Sequence, residues 1–389
     1  MLNKLAAELE LAKSRGWRRT LSPVSRQPGA VVIARGREYV DYSNWDIFGL
    51  AGNAGIKRAV HRAIDRLGVC EPSSRLAAGT SYDLIALEER IAAFLGEEAA
   101  VLFGSKNQAV WSLITGLLRE GDTLFTEDSC MSPAADAAFL VGAKTVVVPS
   151  RSPDELEVML SGGDINHNSL IWLEFLSPTT GSLCPLEAMI SMAERHGGYI
   201  VIDESYGLGI CGDRGAGSVE FFPTRSGGAV IAKVADLSRA LGGFGTAVAG
   251  PRTLIDLLVA RSATFGREVS FPPMVVAATR EALDTTELLV RERSRLAKAG
   301  DEVRARLSGI VTVTVQSGFG PLVVIQCPSP VAAAALREGL SQHGIICETP
   351  VSAKINTSLF ALMFLLTCAH SEDRLRELPQ AILEVASRI

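Results

Sequence analysis

The sequence predicts an α/β protein with a mainly parallel central sheet flanked by helices and a smaller α+β lobe at its C-terminal end. Three observations carry this. Runs of four to six β-branched and apolar residues alternate with stretches whose apolar positions recur every three or four residues, the pattern of successive βα units. This alternation extends from about residue 99 to residue 250, and a long helical stretch from about Met274 to Leu307 then leads out of it. From Val311 onward strands and helices are fewer and mixed. The expected division is an N-terminal helix and hairpin segment over 1–45, a large domain over 46–285 and a small C-terminal domain over 286–389.

In chain order, Leu2, Leu5, Leu9 and Ala12 at helical spacing predict a short amphipathic helix. Arg15, Arg18, Arg19 and Arg26 around Trp17 read as a solvated linker against a partner subunit, with contact to a membrane surface as the alternative. Gly36 to Tyr42 reads as a hairpin strand, and the stretches from Ile56 to Leu67 and from Leu84 to Leu95 read as helices. Strands follow at Ala99–Phe103, Asp122–Phe125, Lys144–Val148, Leu170–Glu174, Tyr199–Asp203, Gly228–Lys233 and Thr246–Gly250. Helices are expected between them at Val110–Leu118, Ala134–Val141 and Leu186–His196. The last lobe should hold strands at Leu322–Ile325 and Phe364–Thr367 and helices at Pro330–His343 and Glu372–Ile389.

Composition removes several classes. Of 389 residues 47% are apolar and 21% charged, which excludes disorder, collagen and disulfide miniproteins. Thirty-eight basic against 43 acidic residues leave a net charge of −5, so no global field favours nucleic acid. Seven scattered cysteines without a CxxC pair read as buried thiols in a reducing compartment. His61, His167, His196, His343 and His370 lack spaced carboxylates, so no metal site is expected. The first residues are too charged for a signal peptide, and no apolar run approaches the ~18–20 residues of a membrane span. The expectation is a soluble cytoplasmic protein, with a peripheral contact to the inner membrane as the alternative.

Chemistry should gather at the carboxyl ends of the parallel strands. Asp203 ends a buried strand, and a glycine-rich turn (Tyr206-Gly-Leu-Gly-Ile-Cys-Gly-Asp-Arg-Gly) follows. A buried carboxylate needs a cationic or hydrogen-bonding partner, and a pyridinium nitrogen is one such partner. Asp203 as a simple turn cap is the bland alternative. The second segment is Asp236-Leu-Ser238-Arg239-Ala-Leu-Gly242-Gly243-Phe-Gly245, a strand ending in a loop with a serine, a long cation and clustered glycines.

At these two segments the chain resembles the α-oxoamine synthase family, pyridoxal-phosphate (PLP) enzymes of fold type I that condense an amino acid with an acyl thioester. The resemblance runs from Ser43-Asn44 and Gly49-Leu50, through Ser74-Arg75-Leu-Ala-Ala-Gly79-Thr80-Ser81 and Leu87-Glu88-Glu89, to Thr367-Cys-Ala-His370-Ser-Glu. It implies a fold type I PLP-transferase with Asp203 facing a cofactor-like pocket. The departures are concentrated at that pocket. Where the family has Asp-Glu-x-His, this chain has Asp203, Glu204 and Tyr206; where it has Asn-His-Ala-Ser, this chain has Cys130-Met131-Ser132-Pro133. The family's Thr-Leu-Ser-Lys-Ala-Leu-Gly-Gly, which supplies the Schiff-base lysine, is matched by Asp236-Leu-Ser-Arg239-Ala-Leu-Gly-Gly. Ser105, Lys106 and Asn107 stand near the family's glycine and aromatic, and Ala361-Leu-Met363 stands in place of an Arg-Leu-Arg stretch that holds the substrate carboxylate.

An amine must lose its proton to attack an aldehyde, and a guanidinium with a pKa above about 12 does not. Among the eight lysines, Lys233 lies on the preceding strand and Lys106 alone is placed to face the pocket. The resemblance is greatest to the non-catalytic, lysine-lacking subunit type of serine palmitoyltransferase, at Thr180-Gly-Ser-Leu-Cys184-Pro-Leu186 and Ser270-Phe-Pro-Pro273. It implies no catalytic residue of the chain's own, with Arg239, Met131 and Tyr206 at degenerate positions, and a vestigial cofactor site at Asp203, Ser105, Lys106, Ser238 and Asp236. Tyr206 and Met131 are expected as packing residues, and Arg239 as the partner of Asp203 or Asp236 or as a group pointing into a partner's pocket. The expected cofactor is none on this chain, with PLP on a catalytic α-oxoamine synthase partner. A self-dimer that binds acyl-CoA and an active PLP-dependent synthase using another lysine are the alternatives.

Overall fold

The structure, a computed structural model, describes every residue except 15–20, 27, 128–132, 149–150, 162–167, 223–227, 267 and 350–359. The strands are β1 (Ser25–Arg26), β2 (Val31–Ala34), β3 (Arg37–Asp41), β4 (Ala99–Phe103), β5 (Thr123–Glu127), β6 (Lys144–Val148), β7 (Ser169–Glu174), β8 (Tyr199–Asp203), β9 (Val230–Asp236), β10 (Thr246–Gly250), β11 (Thr314–Val315), β12 (Leu322–Cys327), β13 (Ile345–Ile346) and β14 (Phe360–Leu365). The helices are α1 (Leu2–Ser14), α2 (Ala54–Leu67), α3 (Tyr82–Leu95), α4 (Lys106–Leu117), α5 (Ala134–Leu140), α6 (Pro153–Ser161), α7 (Leu186–Arg195), α8 (Arg252–Arg261), α9 (Pro273–Glu287), α10 (Val290–Leu307), α11 (Pro330–Gln342) and α12 (Glu372–Ala386).

The central sheet has the order β4-β10-β9-β8-β7-β5-β6. Pairing is parallel from β9 through β6, and β10 runs antiparallel to both of its neighbours. Strands β4, β7 and β10 are buried along their whole length, as a sheet covered on both faces requires. Side-chain alternation divides them between two cores. Leu170, Trp172, Val201, Ala232 and Val234 pack with the buried faces of α4, α5 and α8. Ile171, Leu173, Ile200 and Ile202 pack with α7 and continue into the core of the C-terminal lobe. That lobe is the antiparallel sheet β11-β12-β14 with α10, α11 and α12. The N-terminal hairpin β2–β3 joins it by parallel pairing of β3 with β13, Val40 opposite Ile345.

Several helix starts follow from local chemistry. Asn53, Ser81, Ser105, Ser329 and Ser371 each accept a backbone N–H of the first turn that follows, stabilising α2, α3, α4, α11 and α12 by about 1 kcal/mol apiece. The sequence-based reading departs from the structure at identifiable places. The stretch Met274–Leu307 is two helices, broken at Leu288–Leu289, and the Thr286 carbonyl near the break accepts Arg293 Nη2 at 2.8 Å. The strand expected at Phe364–Thr367 lies earlier, at Phe360–Leu365, and α6 and α8 were not anticipated. The expected helix α1 is present, but its apolar positions Leu2, Leu5 and Leu9 are exposed. No helix among the described residues is long and apolar enough to cross a membrane.

Candidate active site

Four adjacent parallel strands each end in a carboxylate: Asp236 on β9, Asp203 on β8, Glu174 on β7 and Glu127 on β5. Glu174 and Asp203 lie directly opposite each other in register. Such a row is tolerable only with counter-charges, because about 4 kcal/mol separates two like charges 4 Å apart from neutrality at an effective dielectric near 20. The cations come from three different loops. Lys106, the first residue of α4, places Nζ 2.8 Å from Asp203 Oδ2, and the Ser205 N–H donates to Asp203 Oδ1 at 3.0 Å. Arg151 sets Nε 3.1 Å from Glu127 Oε2 and donates to the Ser182 and Glu174 carbonyls.

Arg239 is the third. Its Nε lies 3.5 Å from Asp236 Oδ2, and its guanidinium sits 4.7 Å from the Trp45 ring centre and 4.3 Å from that of Tyr206. Arg239 Nη2 donates to Tyr206 Oη at 3.2 Å. Trp45 and Tyr206 are tilted against each other at 5.1 Å, and Trp45 Nε1 donates to Glu348 Oε2 at 3.0 Å. Lys106 Nζ lies 5.3 Å from the Tyr206 ring centre, so two cations contact one aromatic ring. Asp236 also accepts the Ser238 N–H at 3.0 Å and its hydroxyl at 2.6 Å.

Four acids therefore face three cations, and burial resolves the imbalance. Desolvation pushes Glu174 up to about 8, against the pull of Lys106, so it keeps its proton at neutral pH. Burial disfavours the Lys106 ammonium, but the Asp203 carboxylate 2.8 Å away outweighs it and raises the group above the ordinary lysine range. Burial drives the Tyr206 phenol up to about 12, with Arg239 opposing, so its oxygen stays protonated and accepts from the guanidinium. Behind Asp203, Glu204 is wholly buried and raised to about 7 by desolvation, with Lys233 and Ser218 opposing. The Ser218 N–H and hydroxyl both donate to it. The glycine-rich turn serves this enclosure: Gly217 has a φ of +78° and a Cβ there would lie 2.3 Å from Glu204.

Lys106, Asp203, Tyr206, Arg239, Asp236 and Ser238 thus form one connected cluster, with Ser105 capping the helix that Lys106 begins. The partner of Arg239 is Asp236, while Asp203 is taken by Lys106. Met131, with Cys130 and Ser132, lies outside the described residues. Lys233 is away from the cluster, wholly buried, with Nζ 2.9 Å from Glu97 and donating to the Leu95 carbonyl at 2.7 Å. Ala361 and Met363 are buried in β14. Sequence reasoning missed Trp45, Arg151, Glu127 and Glu174. The two glutamates carry the signal that found Asp203, an acid closing an apolar strand; the other two carry none.

The family model for class I and II aminotransferases matches residues 47–382. The 8-amino-7-oxononanoate synthase of Geobacter sulfurreducens is 32% identical over 328 residues, covering 83% of each chain. Among solved structures, the serine palmitoyltransferase of Sphingomonas wittichii superposes with a TM-score of 0.85 at 21% identity, over 99% of this chain and 97% of that one. Another, SPT solved with PLP as an internal aldimine, reaches 0.86 at 18% identity over 99% and 97%. These findings correct the expectation that this chain takes no PLP and leaves it to a partner: its relatives are PLP-dependent enzymes that hold the cofactor themselves.

The donor set here fits that cofactor as a non-covalent ligand. Asp203, fully buried at a strand end, presents a carboxylate suited to a ring nitrogen, and the start of α4 offers backbone N–H groups to a phosphate, while the Ser238 N–H and hydroxyl are already given to Asp236. Position 239 offers a guanidinium, and Lys106 is the primary amine of the cluster. With its fold, strand-end acid and relatives agreeing, the chain belongs to the α-oxoamine synthase family of fold type I PLP enzymes.

Proposed function

We propose that this chain is a non-catalytic subunit of an α-oxoamine synthase, one that keeps a PLP cleft but lacks the amine for covalent catalysis at position 239. The observation that carries this reading is the seating of Arg239, a guanidinium packed against the Trp45 and Tyr206 rings and tied to Asp236. PLP, when bound, supplies an aldehyde and an electron-withdrawing ring. Using them requires an amine that can shed a proton, and Arg239 stays charged at any physiological pH. The chain's own groups would hold and orient: Asp203 offers the ring-nitrogen partner, the start of α4 suits the phosphate, and Trp45 and Tyr206 wall the cleft.

In this reading a sister synthase performs the condensation of an amino acid with an acyl-CoA, and this chain pairs with it. Relatives that are 8-amino-7-oxononanoate synthases support the reaction class. Serine palmitoyltransferase as the specific assembly, serving long-chain base synthesis, is supported by motif resemblance and fold similarity. The test is release of CoA thiol by the candidate partner alone and after co-purification with this chain. The expected result is a gain of several-fold with no activity from this chain alone, and no gain overturns the proposal.

A second reading, an active synthase anchored through Lys106, is favoured by one fact: its amine lies in the cleft, 2.8 Å from Asp203. Incubation with PLP, borohydride reduction and peptide mapping separate the two. A pyridoxyl group on Lys106 together with turnover supports the second reading, and no adduct supports the first.

A further inference from the structure

We infer that Lys106 competes with the ring nitrogen of a pyridoxal-type ligand for Asp203, so that this cleft grips such a ligand less tightly than its buried carboxylate alone would. The inference rests on the reading that the cleft takes such a ligand, and goes beyond it in naming the residue that sets the affinity.

The geometry is direct. Asp203 is wholly buried, and each of its oxygens is engaged: Oδ1 accepts the Ser205 N–H at 3.0 Å and Oδ2 faces Lys106 Nζ at 2.8 Å. A carboxylate has lone pairs to spare, about four acceptor positions in all. Charge is the stricter limit. Lys106 already neutralises Asp203, and a pyridinium brought to the same oxygen would set two mutually repelling cations against one carboxylate. The ring nitrogen then binds without its proton or drives the ammonium off, and both outcomes lower affinity.

Lys106 is not free to step aside. Its backbone begins α4, its side chain is 14% exposed, and its ammonium lies 5.3 Å from the Tyr206 ring centre. Arg239, 4.3 Å from the same ring centre, supplies a second positive charge, and it is itself held by Asp236. A displaced ammonium would therefore give up its ion pair and its ring contact while moving within a site that already holds another cation. At neutral pH Glu174 keeps its proton and cannot take over as the anion for the displaced amine.

The probe is 4′-deoxypyridoxine 5′-phosphate, which carries the ring nitrogen and phosphate but no aldehyde, so no imine with any lysine confuses the result. Its dissociation constant is measured calorimetrically on the full chain and on Lys106→Met and Lys106→Gln. Freeing Asp203 for a charge-assisted hydrogen bond should tighten binding about tenfold in both variants. The glutamine variant removes the same charge while keeping a polar side chain, and carries the comparison if the methionine variant does not fold. Binding to the unaltered chain with unchanged or weaker affinity in the variants overturns this inference and leaves the cofactor cleft standing. Binding to none of the three proteins overturns both.

Discussion

Replacing Arg239 by methionine tests whether position 239 is a built-in structural cation. Methionine keeps the length of the stem and removes only the planar charge. Four contacts are lost. The two ring contacts at 4.7 and 4.3 Å are worth about 0.5–1 kcal/mol each at a partly exposed site. The 3.2 Å bond to Tyr206 Oη is a hydrogen bond from a charged donor, worth about 1.5 kcal/mol. The Asp236 pair is longer, 3.5 Å, and its side chains are 23% and 12% exposed, so screening leaves it at about 0.5 kcal/mol. Because these contacts share one group and methionine recovers some dispersion, the expected loss is about 2–3 kcal/mol. Equilibrium urea unfolding followed by tryptophan fluorescence and circular dichroism reads it as a lower midpoint at unchanged slope. A cycle with Trp45→Leu should give a coupling of about 0.5–1.5 kcal/mol. A loss under about 0.5 kcal/mol with no coupling would show that the guanidinium is not packed against the rings, and the structural reading of position 239 would fall with it.

Arg239→Lys keeps the charge for Asp236 and introduces a primary amine; after PLP and borohydride, mass mapping should place a pyridoxyl group at position 239 in this variant and not in the parent chain. Lys233→Met strips the buried Glu97 of its ammonium and Leu95 of a donor. It should cost about 3–5 kcal/mol, recovered in large part by adding Glu97→Gln, as thermal and urea unfolding would measure. Glu174, raised by burial to about 8, and Glu204, raised to about 7, each bind a proton in the folded chain that the unfolded chain releases near its ordinary carboxylate pKa. Their contribution is therefore fully present below about pH 4.5 and is lost as pH rises through the folded values, so the urea midpoint should fall between about pH 5 and pH 9. Glu174→Gln should flatten that fall, and a midpoint that climbs over the same range would refute the assignment.

Most of the central sheet was legible because its buried strands are continuous apolar runs: Ala99–Phe103 and Thr246–Gly250, buried throughout, and Tyr199–Asp203, buried from Ile200 on, coincide with the expected boundaries. Lys144–Val148, an edge strand only half-buried, was marked by its run of β-branched residues. Elements with weaker patterns were not so legible. The break between α9 and α10 is braced by Arg293 reaching the Thr286 carbonyl, a tertiary contact that no periodicity announces. Helix α1 shows the opposite limit, since its spacing predicts a helix but says nothing of what its exposed leucines would pack against.

At the site the chain itself determined which charges exist: an acid closing each of four strands, a guanidinium at 239 in place of an amine, and a lysine opening α4. Tertiary structure alone decided how they pair. Trp45 meets Tyr206 and Arg239, and Lys106 meets Asp203, across 97 or more positions of sequence. Partner choice in a crowded row of charges depends on distance and burial, and both arise only once the strands stand side by side. The same reason explains the corrected cofactor expectation. A missing lysine removes one covalent bond, but a buried carboxylate and a helix start, which the fold brings together through Lys106 and Asp203, remain as groups that would hold ring and phosphate.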